Sequence, residues 1–133
     1  RLDVDTTGTL LLTNDGKLCH RLLSPKYHVD KTYHVITDYD IKEEMIKDFE
    51  EGIILDGELT LPAKLTILGK REAELTIHQG KFHQVKRMFL KYSLKVMELE
   101  RKSFAFLNHE DLEIGEYREL NKDEVQKLKD IVE

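Results

Sequence analysis

The sequence predicts one α+β domain whose sheet is mixed or mainly antiparallel and is flanked by helices. Strand-like segments and short amphipathic helices are interspersed at uneven spacing, with hairpin-like turns and without a regular strand–helix–strand alternation. A chain of 133 residues can bury one core and is short for two independent domains. We therefore expect a single unit over residues 1–133.

The predicted strands are short apolar or alternating segments, several of them rich in β-branched and aromatic residues. In chain order they are residues 10–12, 31–37, 53–55, 63–68, 72–77 and 96–106. The first is a run of three leucines closed by Asn-Asp-Gly, which is typical of a short buried strand followed by a turn.

The predicted helices carry apolar residues at helical spacing or short polar caps. They lie at residues 17–23, 41–49, 83–90 and 123–132. The first must end by Ser24, because the residue before Pro25 is disfavoured in a helix. In the third, Lys86 and Arg87 lie off the core-facing stripe. The last has Asn121 available as its cap.

The composition is that of a soluble globular protein. Hydrophobic residues make up 40% and charged residues 35% of the chain, and no apolar run approaches the ~20 residues that span a bilayer. The single cysteine, Cys19, forms no internal disulfide, and the six histidines show no paired Cys/His spacing of a zinc site. We expect a cytoplasmic protein, a monomer, with no metal and no cofactor.

The charge is unevenly distributed. Eleven acidic and six basic residues lie from Glu98 onward, which accounts for the whole net charge of −5. Residues 81–91 contain four bases, one histidine and no acid. Such a patch indicates an RNA or phosphate contact more reliably than the total charge does, although a solvated helix face remains open as an alternative.

The first eight residues combine an arginine, two carboxylates and two hydroxyls in a predicted loop. Sites often lie in loops that a rigid sheet holds. Taken alone, however, Asp3 and Thr6 are more typical of residues that close a turn. Asp3 and Asp5 together are a weaker candidate for a two-carboxylate glycosidase site, since such sites rarely draw both acids from one loop.

Several motifs, in order and at matching spacing, resemble the RsuA-type pseudouridine synthases of bacterial ribosomal RNA. They are Arg-Leu-Asp-Val-Asp-Thr-Thr-Gly at residues 1–8, Thr-Asn-Asp-Gly at 13–16, Ser-Pro at 24–25, Lys-Thr-Tyr at 31–33 and Gly-Lys-Phe-His-Gln-Val-Lys-Arg-Met-Phe at 80–89. The resemblance extends to Gly-Glu-Tyr-Arg at 115–118. It implies the α+β pseudouridine synthase catalytic fold and conversion of a uridine in ribosomal RNA to pseudouridine.

The resemblance also implies roles for single residues. Asp3 would be the nucleophile that attacks the nucleotide, which a carboxylate can do without a cofactor. Tyr33 would stack on the flipped-out base and take part in proton transfer. Lys86 would pair with the carboxylate of Asp3 and keep it ionised. Arg1 would help to hold the nucleotide site open.

The remaining candidates of the basic stretch are RNA contacts. They are Lys81, His83, Gln84 and Arg87, of which His83 and Gln84 are equally plausible as caps of the helix. Four motifs are similar to those of enzymes that modify 16S rRNA. They are the motif at residues 1–8, His20-Arg21, Ser24-Pro25 and Glu-Tyr-Arg at residues 116–118. A 23S rRNA substrate and a non-catalytic RNA-binding remnant stay open as alternatives.

The sequence departs from the family pattern in three places. Thr9 stands where relatives carry leucine, and residues 104–106 replace a glycine-containing run. Family members also have a strand, and often a basic S4 RNA-binding domain, before the Arg-Leu-Asp motif. We therefore expect residues 1–133 to be an incomplete catalytic domain.

Overall fold

The computed structural model describes residues 2–81 and 83–133. Within them the strands are β1 Thr7–Gly8, β2 Lys31–Thr37, β3 Ile54–Leu55, β4 Glu58–Leu59, β5 Lys64–Gly69, β6 Glu72–Ile77, β7 Val96–Phe104 and β8 Leu107–Asn108. The helices are α1 Gly16–Leu23, α2 Glu44–Glu51, α3 Gln84–Leu90 and α4 Lys122–Ile131, with a 3₁₀ turn at Pro25–Tyr27. The predicted α+β class is confirmed.

The main sheet has the strand order β1-β7-β2-β6-β5, with β8 paired to β7. Only the β1–β7 pair is parallel, and every other pair in this sheet is antiparallel. β3 and β4 form a separate two-stranded hairpin. The sheet is therefore mixed and mainly antiparallel, as the sequence predicts.

Two apolar clusters hold the helices on the sheet. The larger joins Met45 and Phe49 of α2 and Met88 and Phe89 of α3 to inward-facing side chains of the strands. The smaller cluster joins α1 and α4 to the end of β7, where Phe104 is buried. Because α3 is fixed by the larger cluster, its first turn is held at a constant position relative to β2.

The predicted strand at residues 10–12 is wrong, because the strand lies earlier, at β1. The main chain is captured at Thr9, whose N–H donates to Arg101 O at 2.7 Å and whose carbonyl accepts from Arg101 Nε at 2.9 Å. The pairing with β7 ends there, and Leu10 and Leu12 are exposed. The predicted strand at residues 96–106 is also shorter than expected, since Ala105 turns the chain with a φ of +55°.

None of the helices within the described ranges combines the length and the apolar character needed to cross a bilayer.

Candidate active site

A small open cleft of about 60 Å³ lies where the N-terminal loop meets β2 and the start of α3. Asp3 and Thr6 line it from the loop, Tyr33 from β2, and Lys81 and His83 from the segment before α3. The structure thus brings together the Arg-Leu-Asp loop, the Lys-Thr-Tyr strand and the basic stretch, which are separated by up to 80 residues in sequence. Arg1 lies outside the described residues.

Asp3 sits at the start of a tight turn beside the cleft. The Thr6 N–H donates to the Asp3 carbonyl at 3.0 Å, which closes the turn, and the Asp3 carboxylate faces the start of α3. Asp3 Oδ2 lies 3.0 Å from His83 Nδ1, and the Asp3 side chain is about one quarter exposed (27%). The carboxylate is therefore accessible from the cleft and lies at ion-pair distance from a ring nitrogen of His83.

His83 occupies an unusual backbone position at the start of α3. It has a φ of +47° and a ψ of +36°, in the left-handed region that few side chains other than Asn, Asp and His adopt with any frequency. Strained or rare backbone geometry of this kind clusters at functional sites. The conformation directs the chain into the helix directly after the residue that contacts Asp3.

Lys86 contacts the same loop, but at a different carboxylate from the one expected. Its Nζ donates to Asp5 Oδ1 at 2.5 Å, and no ion pair with Asp3 forms within the described ranges. This hydrogen bond lowers the pKa of Asp5 below its usual value. The first turn of α3 thus holds the loop at two points, Lys86 on Asp5 and His83 on Asp3. The expected pairing of Lys86 with Asp3 is corrected accordingly.

Tyr33 lies in β2 at an irregularity of the sheet. Its Cα pairs with Leu75 of β6 and with Arg101 of β7, and the register against β7 shifts between Thr32 and Tyr33. Bulges of this type re-aim a side chain relative to a regular strand. Tyr33 is half-buried, packs against the larger apolar cluster and lines the cleft. Its role in stacking on a base stays a prediction.

Gln84 is buried, and its amide is engaged within the protein. Its Nε2 donates to Gln79 Oε1 at 3.3 Å, and its Oε1 accepts from the Lys81 N–H at 3.2 Å. Gln79 Oε1 also accepts from the Leu61 N–H at 2.8 Å. Gln84 therefore holds the segment before α3 in place, and a contact with RNA would require it to exchange these partners.

Lys81 and Arg87, the other expected RNA contacts, are both paired with acids of the β3–β4 hairpin. Lys81 Nζ lies 2.5 Å from Glu58 Oε2, and Arg87 Nη2 lies 2.6 Å from Asp56 Oδ2. The hydrogen bond from Lys81 lowers the pKa of Glu58 below its usual value. Sequence reasoning missed both acids. The Asp-Gly pair at residues 56–57 is a readable signal of a hairpin turn. The position of that hairpin beside α3 cannot be read from the sequence.

Within the parts of the chain that the structure describes, no group of three or more histidine, cysteine or acidic side chains could hold a metal ion. The groups lining the cleft include a carboxylate, an imidazole, a phenol and the ammonium group of Lys81. They can supply a nucleophile, an orienting hydrogen bond, a stacking surface and contacts to phosphates.

Comparison with known proteins places these features in a family. Residues 1–91 match the family model described as RNA pseudouridylate synthase. The chain is 48% identical over 131 residues to the ribosomal small subunit pseudouridine synthase A of Vibrio cholerae, covering 96% of this chain and 57% of that protein. It is 49% identical over 131 residues to the protein of the same name from Haemophilus influenzae, covering 96% and 56%.

Two further matches extend the comparison. The ribosomal large subunit pseudouridine synthase B of Bacillus subtilis is 42% identical over 135 residues, with 97% of this chain and 55% of that protein covered. A solved structure described as a pseudouridylate synthase superposes with a TM-score of 0.89 at 48% identity, covering 96% of this chain and 56% of that one. The chain spans little more than half the length of these relatives. On the family match and these identities, the chain belongs to the RNA pseudouridylate synthase family.

Proposed function

We propose that this chain isomerises a specific uridine of ribosomal RNA to pseudouridine, with Asp3 as the nucleophile. The observation that carries the proposal is the position of the Asp3 carboxylate, partly exposed in a cleft that also contains Tyr33 and 3.0 Å from His83. The family membership supplies the reaction class.

The chemistry requires one nucleophile and a change of glycosidic bond. Attack by the Asp3 carboxylate on the nucleotide allows the bond between C1′ of the ribose and N1 of uracil to break. The freed uracil turns, and C1′ bonds to C5 instead. The hydrogen on C5 is lost as a proton, N1 gains a proton, and the carboxylate is released. The product is an isomer of the substrate, so no net oxidation or reduction occurs.

The neighbours of Asp3 suit this chemistry. The target base must leave the RNA stack before Asp3 can reach it, and the ring of Tyr33 offers a surface on which it can stack. His83 can donate a hydrogen bond that orients the carboxylate. Lys86 acts on the loop through Asp5, and its positive charge favours the ionised form of carboxylates near it.

For the substrate, we propose 16S rRNA. The names of the Vibrio cholerae and Haemophilus influenzae relatives refer to the small ribosomal subunit. A 23S rRNA substrate is the second candidate, because the Bacillus subtilis relative is named for the large subunit. Ribosomal RNA as the substrate would place the protein in the bacterial cytoplasm, where we propose that it acts as a monomer.

The test is pseudouridine mapping on unmodified 16S and 23S rRNA transcripts, each incubated with the protein or with Asp3→Asn. We expect one new pseudouridine in 16S rRNA that is absent with Asp3→Asn. A new site in 23S rRNA alone would transfer the proposal to the second substrate. If the protein binds RNA but modifies neither transcript, the proposed enzymatic activity is contradicted and a non-catalytic RNA-binding function is favoured.

A further inference from the structure

The β3–β4 hairpin forms two ion pairs with cations of the basic stretch at residues 81–91. Glu58 reaches Lys81, which lines the cleft, and Asp56 reaches Arg87 on α3. Asp56 lies in the turn of the hairpin and Glu58 directly follows it, so one short element holds both Lys81 and Arg87. In the protein without RNA, each of these cations therefore already contacts a carboxylate oxygen.

The two sides of these ion pairs differ in burial. The side chains of Lys81 and Arg87 are about three-quarters buried, with 25% and 24% exposed. The side chains of Glu58 and Asp56 are 74% and 82% exposed. The cations are therefore fixed parts of the surface, whereas the carboxylates reach them from the solvent side. A phosphate approaching from solvent would meet the same donors with the same kind of charged oxygen.

The hairpin is built so that it can separate from the rest of the protein. Its strands are two residues each, and it forms no ladder with the main sheet. It is anchored at its base, where Ile53 and Thr60 exchange two hydrogen bonds of 2.8 and 2.9 Å, and by the buried side chain of Leu55. Its outer side chains Ile54 and Leu59 are exposed. An isolated two-stranded hairpin is only marginally stable, so its tip can move at small cost.

We propose that the β3–β4 hairpin is an electrostatic latch, in which Asp56 and Glu58 occupy Arg87 and Lys81 until backbone phosphates of the RNA displace them. The latch rests on the proposed function, because it assumes an RNA partner. The carboxylates keep the cations oriented and neutralised in the free protein. RNA exchanges a carboxylate for a phosphate at each cation, and the freed hairpin tip moves away from the cleft rim.

If the hairpin is a latch, removing the charges of Asp56 and Glu58 should strengthen RNA binding. The gain should arise at Lys81 and Arg87, which lose their acidic partners. Because exposed ion pairs are weak, breaking both corresponds to a gain in RNA affinity of roughly two- to thirtyfold. Removing two acidic charges at other positions changes the net charge equally but leaves the ion pairs of Lys81 and Arg87 intact. Glu43 and Glu110 are suitable controls, because both are exposed and neither forms an ion pair within the described ranges.

The experiment measures the dissociation constant of a short fluorescein-labelled oligouridylate by anisotropy at low salt. It compares the protein with Asp56→Asn/Glu58→Gln and with the control Glu43→Gln/Glu110→Gln. The latch variant is also made in a Lys81→Gln/Arg87→Gln background. Circular dichroism and thermal unfolding verify that each variant is folded.

The latch predicts that Asp56→Asn/Glu58→Gln binds the probe roughly two- to thirtyfold more tightly, clearly beyond the charge control. It also predicts that this gain falls below about twofold when Lys81 and Arg87 are absent, because uncharged partners have nothing to release. A gain equal to that of the control, or one that persists without the two cations, would overturn the latch while leaving RNA binding intact. If neither the protein nor any folded variant binds the probe, the proposal that RNA is the partner is itself overturned.

Discussion

His83 Nδ1 lies 3.0 Å from Asp3 Oδ2, across a separation of 80 residues in sequence. This contact ties the start of α3 to the loop that carries the proposed nucleophile. Lys86, in the first turn of α3, reinforces the same junction by binding Asp5. The site therefore depends on two helix–loop contacts, each made to a different carboxylate.

We expect His83 to be a positioning residue for Asp3. The contact lies at ion-pair distance and is partly exposed, so His83→Ala should lower the single-turnover rate by roughly fivefold. His83→Asn should recover most of this loss. Its amide nitrogen can take the place of Nδ1, and asparagine tolerates the positive φ of +47°.

The measurement is the single-turnover rate of pseudouridine formation, together with the dissociation constant of the RNA. Positioning of Asp3 predicts a change in rate with little change in RNA affinity. Equal rates for the Ala and Asn variants, or a loss confined to RNA binding, would assign His83 to RNA contact instead.

Gly8 should be essential for the attachment of the N-terminal loop to the sheet. It has a φ of +111°, and a Cβ there would lie 2.1 Å from Arg101 O. The backbone conformation alone costs roughly 1–3 kcal/mol for other residues, and the clash adds to it. Gly8→Ala should therefore lower the free energy of unfolding by at least about 2 kcal/mol in urea denaturation. Gly16→Ala is the matched control, because a Cβ there meets nothing within 4 Å.

The sequence predicts those elements whose signal is local. The alternation at residues 31–37 and 72–77 corresponds to β2 and β6 at the same boundaries, and the predicted helix at residues 17–23 corresponds to α1 within one residue. The apolar spacing before residue 90 corresponds to α3 within one residue. These patterns reflect which face of each element is buried.

The errors concern contacts between distant segments. Three consecutive leucines at residues 10–12 are typical of a strand, but the side chain of Arg101 captures Thr9 and ends the pairing first. Similarly, Asp3 and Asp5 are two residues apart, and only the packing of α3 decides which of them faces Lys86. Neither outcome can be read from periodicity, because each depends on side chains about 80 to 90 residues away.

Lys31 should make stability depend on pH in the alkaline range. Burial, and then the nearby Arg101 guanidinium, lower its pKa to about 8. In the unfolded chain the pKa is about 10.4, so the unfolded state binds more protons between these values. Stability should therefore rise as the pH rises from about 8 to about 10.4, by up to about 3 kcal/mol.

Lys31→Met isolates this contribution. The difference in unfolding free energy between the two proteins should grow in favour of the natural chain as the pH rises through about 8. Urea denaturation at a series of pH values measures it. A difference that stays constant across this range would mean that Lys31 does not titrate as its burial implies.

Arg118 and Glu124 should make stability depend on pH in the acidic range. Arg118 donates two hydrogen bonds of 2.8 and 2.7 Å to the Glu124 carboxylate, which also accepts from the Asn121 N–H in the capping box of α4. The bonds from Arg118, and then that from Asn121, lower the pKa of Glu124 to about 2. The stabilisation is present above the unfolded pKa of about 4.3 and is lost as the pH falls towards 2.

Arg118→Gln should therefore have a lower melting temperature than the natural chain at neutral pH, and the gap should close as the solution is acidified below about pH 4.3. Melting curves followed by circular dichroism at several pH values test this. A gap of constant size down to pH 2 would show that the ion pair is not its source.

We propose that the carboxylate of Asp3, and not that of Asp5, attacks the uridine. Because pseudouridine formation removes the hydrogen from C5, release of tritium from ribosomal RNA labelled at C5 of uridine follows the reaction directly. We predict that Asp3→Asn abolishes tritium release while it still binds RNA, and that Asp5→Asn, which loses only the contact with Lys86, retains measurable release. Tritium release by Asp3→Asn at the rate of the natural chain would contradict the assignment of Asp3 as the nucleophile.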